Sequence, residues 1–243
     1  MKDKFQQITQ KSYDQIAGQF SYSRNYVWSD LQVFLEYVND GDDVLDLGAG
    51  NGRMVEFLQD KAVNYLGVDS SRELIKQAKQ KFPKFKFQVK DALKINYRNK
   101  FDVVIATAVL NHFADEKSRI VVLKNIYRSL KPGGDLLMSN WNMWNEKNPK
   151  GMRKFEKMKK ELNDENFFDK FGVKKSEIDT GDVLTVWGED SVLYYHAFTI
   201  EELKELCEKV GFKVVKNYYS LRGVKSTKLK GDNLILVGKK WEK

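Results

Sequence analysis

Three glycines and two acids carry the chemistry that this sequence offers first. Val44-Leu45-Asp46-Leu47 is a short, largely apolar run leading into Gly48-Ala49-Gly50-Asn51-Gly52 and then a helical pattern from about Arg53. Such a run suits a parallel strand covered on both faces. The glycines let the backbone turn sharply and approach a ligand that a side chain would exclude, while the following helix presents unpaired N–H groups. Asp46, at the carboxyl end of the strand, disfavours phosphate and tilts the ligand toward one carrying an ammonium group. Tyr65-Leu66-Gly67-Val68-Asp69 then reads as a second strand that also ends in an acid. A glycine turn alone is a tight strand-to-helix connection in about half of such matches, so the surroundings decide.

Those surroundings are ordered. Asp69 follows Asp46 at the distance at which a Rossmann-like unit places its ribose-binding carboxylate. A third strand, Phe85 to Val89, precedes Lys90-Asp91-Ala92, and a fourth, Phe101 to Ala106, precedes Thr107-Ala108-Val109-Leu110-Asn111-His112-Phe113. A helix from Lys117 to Leu130 ends at Lys131-Pro132-Gly133-Gly134, and a fifth strand runs through Leu136, Leu137 and Met138. Upstream, Phe5, Ile8, Tyr13, Ile16 and Phe20 mark one amphipathic helix, and Leu31, Phe34, Leu35 and Val38 a second. Downstream, Thr199 with Glu202 forms a capping-box pattern for a helix through Val210 that stops at Gly211. Phe212 to Tyr219 and Asn233 to Val237 complete the sheet.

The chain has 243 residues, which suits one α/β domain with an insertion. The 42 basic against 34 acidic side chains give a formal net charge of +8, which matters only where it is clustered. Two clusters stand out. From Lys147 to Lys175 there are ten lysines and arginines against five acids, with Phe155, Phe167, Phe168 and Phe171 among them. Arg222, Lys225, Lys228 and Lys230 form a second group with no acid before Asp232. Either could face nucleic-acid phosphates, and either could be a solvated face. The single cysteine, Cys207, excludes a disulfide framework, and no apolar run approaches the roughly 18 residues of a membrane span. A cytoplasmic protein is expected.

VLDLGAGNGR, YLGVDSS, KDAL, FDVVIATAVLNHF and LKPGGDLLMSN, in this order, resemble the class I S-adenosylmethionine-dependent methyltransferases. The resemblance implies an α/β fold with a Rossmann-like seven-stranded, mostly parallel sheet whose last strand is antiparallel. It also implies an N-terminal helical lid over residues 1–40 and a methyltransferase domain over 41–243, with a basic helical insertion at 142–198. The cofactor implied is S-adenosyl-L-methionine. Asp46, Gly48 and Gly50 would hold its methionine end, Asp69 its two ribose hydroxyls, and Asp91 with Ala92 its adenine edge, with Ala49, Ser70 and Thr107 completing the cofactor-binding set. An ionised acid suits a vicinal diol, which donates two hydrogen bonds to it.

The flanks YDQIAGQFSYSRNYVW, GDVLTVW and YYHAFTIEELKELCEKVGF look like those of the tRNA methyltransferases that esterify carboxymethyluridine at the wobble position. By that resemblance Arg24, His196 and Tyr195 serve catalysis, and Arg24, Trp28, Asn111, His112, Trp141 and Tyr194 surround the acceptor. The family has cysteine where Ala49 stands, a second histidine where Asn111 stands, and Gly-Asn-Trp where this chain reads Gly231-Asp232-Asn233-Leu234. The implied partners are tRNA and a small activating subunit. A small-molecule O- or N-methyltransferase is the alternative, with the insertion as a lid. A carboxylate acceptor needs no general base, whereas an amine or phenol would call on His112 or His196.

Overall fold

The computed structural model describes residues 3–23, 28–148, 181–187 and 191–241, with short pieces and single positions between 152 and 178. In chain order the strands are β1 (Asp43–Leu47), β2 (Asn64–Asp69), β3 (Lys86–Val89), β4 (Phe101–Thr107), β5 (Leu130–Trp141), β6 (Asp182–Trp187), β7 (Ser191–His196), β8 (Phe212–Leu221), β9 (Val224–Ser226) and β10 (Asn233–Lys240). The helices are α1 (Asp3–Ser23), α2 (Arg53–Leu58), α3 (Arg72–Lys81), α4 (Glu116–Ser129) and α5 (Ile200–Val210).

The main sheet has the order β3-β2-β1-β4-β5-β10-β8-β9. β1 to β5 pair in parallel, and β10 is antiparallel to both β5 and β8. The seven strands expected are joined by an eighth, β9. It folds back on β8 through the two-residue loop Arg222-Gly223, where both residues have positive φ, +55° and +86°, as a type I′ hairpin requires.

Alternation along the central strands splits the core between the two sheet faces. Leu45, Val104, Leu136 and Leu234 pack with α4 and α5, whereas Val44, Val103, Leu137 and Ile235 pack with α2, α3 and the segment around Phe34. Each such fully buried side chain contributes roughly 1.5–3 kcal/mol, and together they fix the strand tips that carry the acids. Two local expectations are corrected. Residues Ser29–Tyr37 form a 3-10 helix rather than an α-helix, and its fully buried Leu31 and Phe34 are three apart, matching three residues per turn. β5 begins at Leu130, and the pairing jumps from Phe101↔Leu130 to Val103↔Asp135. Lys131-Pro132-Gly133-Gly134 is therefore a bulge inside the strand rather than a turn before it.

β6 and β7 form a separate antiparallel hairpin at the end of the insertion. β7 lies along α1, where Thr9 Oγ1 accepts from Tyr194 N at 3.2 Å and Ser12 Oγ from Val192 N at 3.1 Å. Two helix hydroxyls thereby satisfy N–H groups on the outer edge of that hairpin. Phe155, Phe167, Phe168 and Phe171 lie outside the described residues, as do Lys150, Lys154, Lys159 and Lys170 of the insertion's nine lysines. Among the described residues no helix is long and apolar enough to cross a membrane.

Candidate active site

A cavity opens at the carboxyl ends of β1, β2 and β4, the edge at which open α/β sheets bind ligands. Its floor is the glycine turn. Gly48 has φ +78°, and a Cβ there would lie 2.3 Å from Val109 Cγ2. Both the backbone conformation and the close approach of the segment after β4 therefore require glycine. Gly48→Ala should cost about 1–3 kcal/mol of stability, read as a lower midpoint in urea unfolding, through strain at positive φ.

Three acids stand around this turn. Asp46 is buried, and its Oδ2 accepts from the Tyr65 hydroxyl at 2.6 Å. Its Oδ1 is buried with no hydrogen-bond partner. Burial raises the Asp46 pKa to about 7, against the opposing pull of the Tyr65 hydrogen bond and the Arg53 charge. Asp69 is held by backbone donors, Gly50 N to Oδ2 at 2.9 Å and Ser71 N to Oδ1 at 2.8 Å, with Ser70 N a further, weaker one. These fix the carboxylate's rotation and leave it acceptor capacity for a further donor. Burial raises its pKa in spite of those bonds. Asp91 Oδ1 accepts from Leu93 N at 2.9 Å and, more weakly, from Gln6 Nε2 at 3.4 Å. Gly48, Ala49, Gly50, Ser70, Ala92 and Thr107 line the same cavity, and the Thr107 hydroxyl is buried without a hydrogen-bond partner.

The far wall is aromatic. Trp28, Trp141, Tyr13 and His112 line it. Trp28 meets Trp141 edge-on with centroids 5.8 Å apart, and the Arg53 guanidinium lies 4.4 Å from the Trp28 ring centroid. Burial pushes the His112 pKa down to about 4, so its imidazole is neutral near pH 7. The Tyr194 carbonyl, 2.9 Å from Nδ1, can only accept, so the proton sits on Nδ1. Nε2 then accepts from the Tyr13 hydroxyl at 3.1 Å. Both ring nitrogens are engaged.

Four of the residues expected at the acceptor are elsewhere. Asn111 is fully buried, donating from Nδ2 to the His196 carbonyl at 2.7 Å and accepting from Trp141 N at 3.1 Å. It braces the wall rather than lining it. Tyr195 stacks behind Trp141 with centroids 5.5 Å apart. Tyr194 donates to Asp182 Oδ1 at 2.5 Å. His196 is clamped between Asp182 Oδ1 and Glu202 Oε1, each 2.9 Å from one ring nitrogen. Burial pulls the His196 pKa down, but the hydrogen bonds to Asp182 and Glu202 outweigh it and leave the value raised. Glu202 also meets Arg119 at 3.3 Å, so this histidine belongs to a buried charge network joining β6, β7, α4 and α5. The capping box is accordingly half made: Thr199 Oγ1 accepts from Glu202 N, while the Glu202 carboxylate turns to His196. Arg24 lies outside the described residues. Sequence reasoning passed over Arg53, Gln6, Gln10 and Lys90, all of which line the cavity, as does Tyr13 of the N-terminal helix. Arg53 had a signal, its place directly after the glycine turn.

A family model described as a methyltransferase domain matches residues 20–217. The chain belongs to that family. The tRNA (carboxymethyluridine(34)-5-O)-methyltransferase alkbh8 of Xenopus tropicalis is 29% identical over 248 residues, covering 88% of this chain and 39% of the relative. The tRNA (carboxymethyluridine(34)-5-O)-methyltransferase of Schizosaccharomyces pombe is 26% identical over 215 residues, covering 85% of this chain and 89% of the relative. This methyltransferase thus spans well under half of the Xenopus relative. Two solved structures share its fold. A SAM-dependent methyltransferase of Methanosarcina mazei is 20% identical with a TM-score of 0.67, covering 87% of this chain and 98% of its own. A methyltransferase of Haloferax volcanii, solved in complex with the Trm112 methyltransferase activator, is 18% identical with a TM-score of 0.61, covering 95% of this chain and 98% of its own.

S-adenosylmethionine, the cofactor of this methyltransferase, fits the polar groups of the cavity. The unpartnered Asp46 oxygen suits an ammonium, the oriented Asp69 carboxylate suits a ribose diol, and the glycine turn admits close approach of the chain between them.

Proposed function

We propose that this methyltransferase esterifies a carboxylate on a modified wobble uridine of tRNA. The observation that carries the reading is the state of its histidines. His112, which lines the cavity, is neutral and bonded at both nitrogens, and His196 is locked into the Asp182–Glu202 clamp. Neither imidazole is poised to take a proton from an amine or phenol. A carboxylate arrives ionised and needs none taken. The bound cofactor supplies an activated methyl group on a sulfonium.

The protein's own part is alignment and exclusion of water. Asp46 and Asp69 would hold the donor at the strand tips, and Arg53 offers a positive charge at the Trp28 side of the cavity, where an anionic acceptor can approach. Trp28 and Trp141 offer flat faces to a base, and Arg24 would add a second cation. The names of the Xenopus and Schizosaccharomyces relatives support tRNA as acceptor. The Haloferax neighbour, solved with an activator, supports a small activating subunit as partner.

Incubation with methyl-labelled S-adenosylmethionine and tRNA bearing carboxymethyluridine tests the reading. The expected product is labelled RNA whose label is released by mild alkali, as a methyl ester requires. Alkali-stable label, or label found only in small molecules, would overturn it.

A further inference from the structure

Many lysines on this surface have carboxylate partners: Lys131 pairs with Asp43 and Asp102, Lys209 with Glu116, Lys216 with Glu36 and Lys239 with Asp135. β9 and the loop after it gather several cations that have none: among the described residues, Lys225 in β9, Lys228 and Lys230 in the loop, and Arg222 at the hairpin tip form no ion pair. The acid that follows them is withdrawn, since Asp232 Oδ1 accepts from Asn148 Nδ2 at 2.9 Å and Asn145 Nδ2 at 3.3 Å. Glu146 is the exposed acid beside the loop, next to Lys147.

A solvated charge run needs no fastening, yet this one is fastened. Asn142 Nδ2 donates to the carbonyls of Lys228 and Gly231, both at 2.7 Å, and Lys147 N donates to Leu229 O at 3.0 Å. Asp30 accepts from Gly223 N and Asn233 Nδ2, each at 2.7 Å. Asn142 follows Trp141 and Asp30 lies two residues after Trp28, so the loop is bonded to both stretches that carry the cavity's indoles. The Lys228 ammonium sits 4.4 Å from the Trp144 ring centroid, and that indole is itself held by its N–H to the Ala197 carbonyl at 3.0 Å. Unpaired cations and the aromatic wall are thus one braced unit.

We propose that Lys225, Lys228 and Lys230 form a phosphate-binding rim that holds the RNA strand flanking the nucleotide to be methylated. The proposal rests on the tRNA reading above. Each lysine that meets a phosphate releases condensed counterions, which makes binding salt-dependent. A strand laid on this rim is led past Trp144 toward Trp28 and Trp141, where its extruded base can stack.

The test is binding of an anticodon stem-loop RNA by the whole chain as salt is raised, for the wild type and the K225A/K228A/K230A variant. The variant should bind at least tenfold more weakly at low salt, with a log–log salt slope shallower by about 2, from roughly 0.7 per phosphate contact on a single strand. Its affinity for S-adenosylhomocysteine should stay at the wild-type value. Equal RNA affinity and slope would overturn the rim while leaving the tRNA reading intact. Failure of the wild type to bind RNA would instead remove that reading and the rim with it. Amine labelling of the native protein guards against a folding defect in the variant. RNA should protect these three lysines, and equal labelling with and without RNA would overturn the proposal.

Discussion

Asp46→Asn should weaken binding of S-adenosylhomocysteine by about 10- to 100-fold, the effect of losing one hydrogen bond to a charged group, worth roughly 1.5–3 kcal/mol. The substitution keeps the side chain's shape and an oxygen for the Tyr65 hydroxyl, so the loss reports the charge. A second signature follows from the raised Asp46 pKa of about 7. An ammonium seated against Asp46 favours the ionised carboxylate, so near pH 7 binding must expel the proton that the free protein holds. Affinity should therefore fall as pH drops below 7, and titration calorimetry in two buffers of different ionisation heat should show proton release. The asparagine variant should lose that release. An unchanged affinity, or equal proton release in both proteins, would remove Asp46 from the cofactor site.

Asp182→Ala should cost about 3–5 kcal/mol of stability, the range for breaking a buried ionic contact and leaving its partners uncompensated. Those partners include the Tyr194 hydroxyl and the His196 ring, both deeply buried. Out of a total of roughly 5–15 kcal/mol, that loss would show as a large fall in the urea midpoint. The pH dependence has a fixed sign. His196 has a raised pKa in the fold, so its contribution is fully present below the ordinary value of 6.5 and is lost as pH rises through the folded value. The gap between wild type and Asp182→Ala should therefore narrow on the alkaline side. His112 acts in the opposite sense. Its folded value of about 4 means that stability falls as pH drops from 6.5 toward 4, and it does so equally in both proteins. A gap that is constant across this range would contradict a protonated His196 in the clamp.

The sheet and the cofactor end were legible because their signals are local. An apolar run, a glycine turn and a terminal acid mark β1 and β2 without reference to the rest of the chain. The acceptor side was not, because its residues are sorted by pairing at long range. Along β7, Tyr195 turns toward Trp141 and His112, while Tyr194 and His196 turn to Asp182, as alternation in a strand requires. Which set faces the cavity depends on the Asp182↔His196 register and on where Thr199 starts α5, and neither is written in the stretch YYHAFT itself. The same holds for Asn111, whose two hydrogen bonds reach β7 and β5. The eighth strand was missed because its turn is Arg-Gly rather than the Asn-Gly or Asp-Gly that usually announces a two-residue hairpin.

We propose that the tips of β1 and β2 grip a sulfonium nucleoside between Asp46 and Asp69. A crystal structure with S-adenosylhomocysteine bound is the sharpest test. The expected result places both ribose hydroxyls within hydrogen-bond distance of the Asp69 carboxylate and the amino group on the open oxygen of Asp46. Density for the nucleoside elsewhere, or a ribose turned away from Asp69, would overturn that placement.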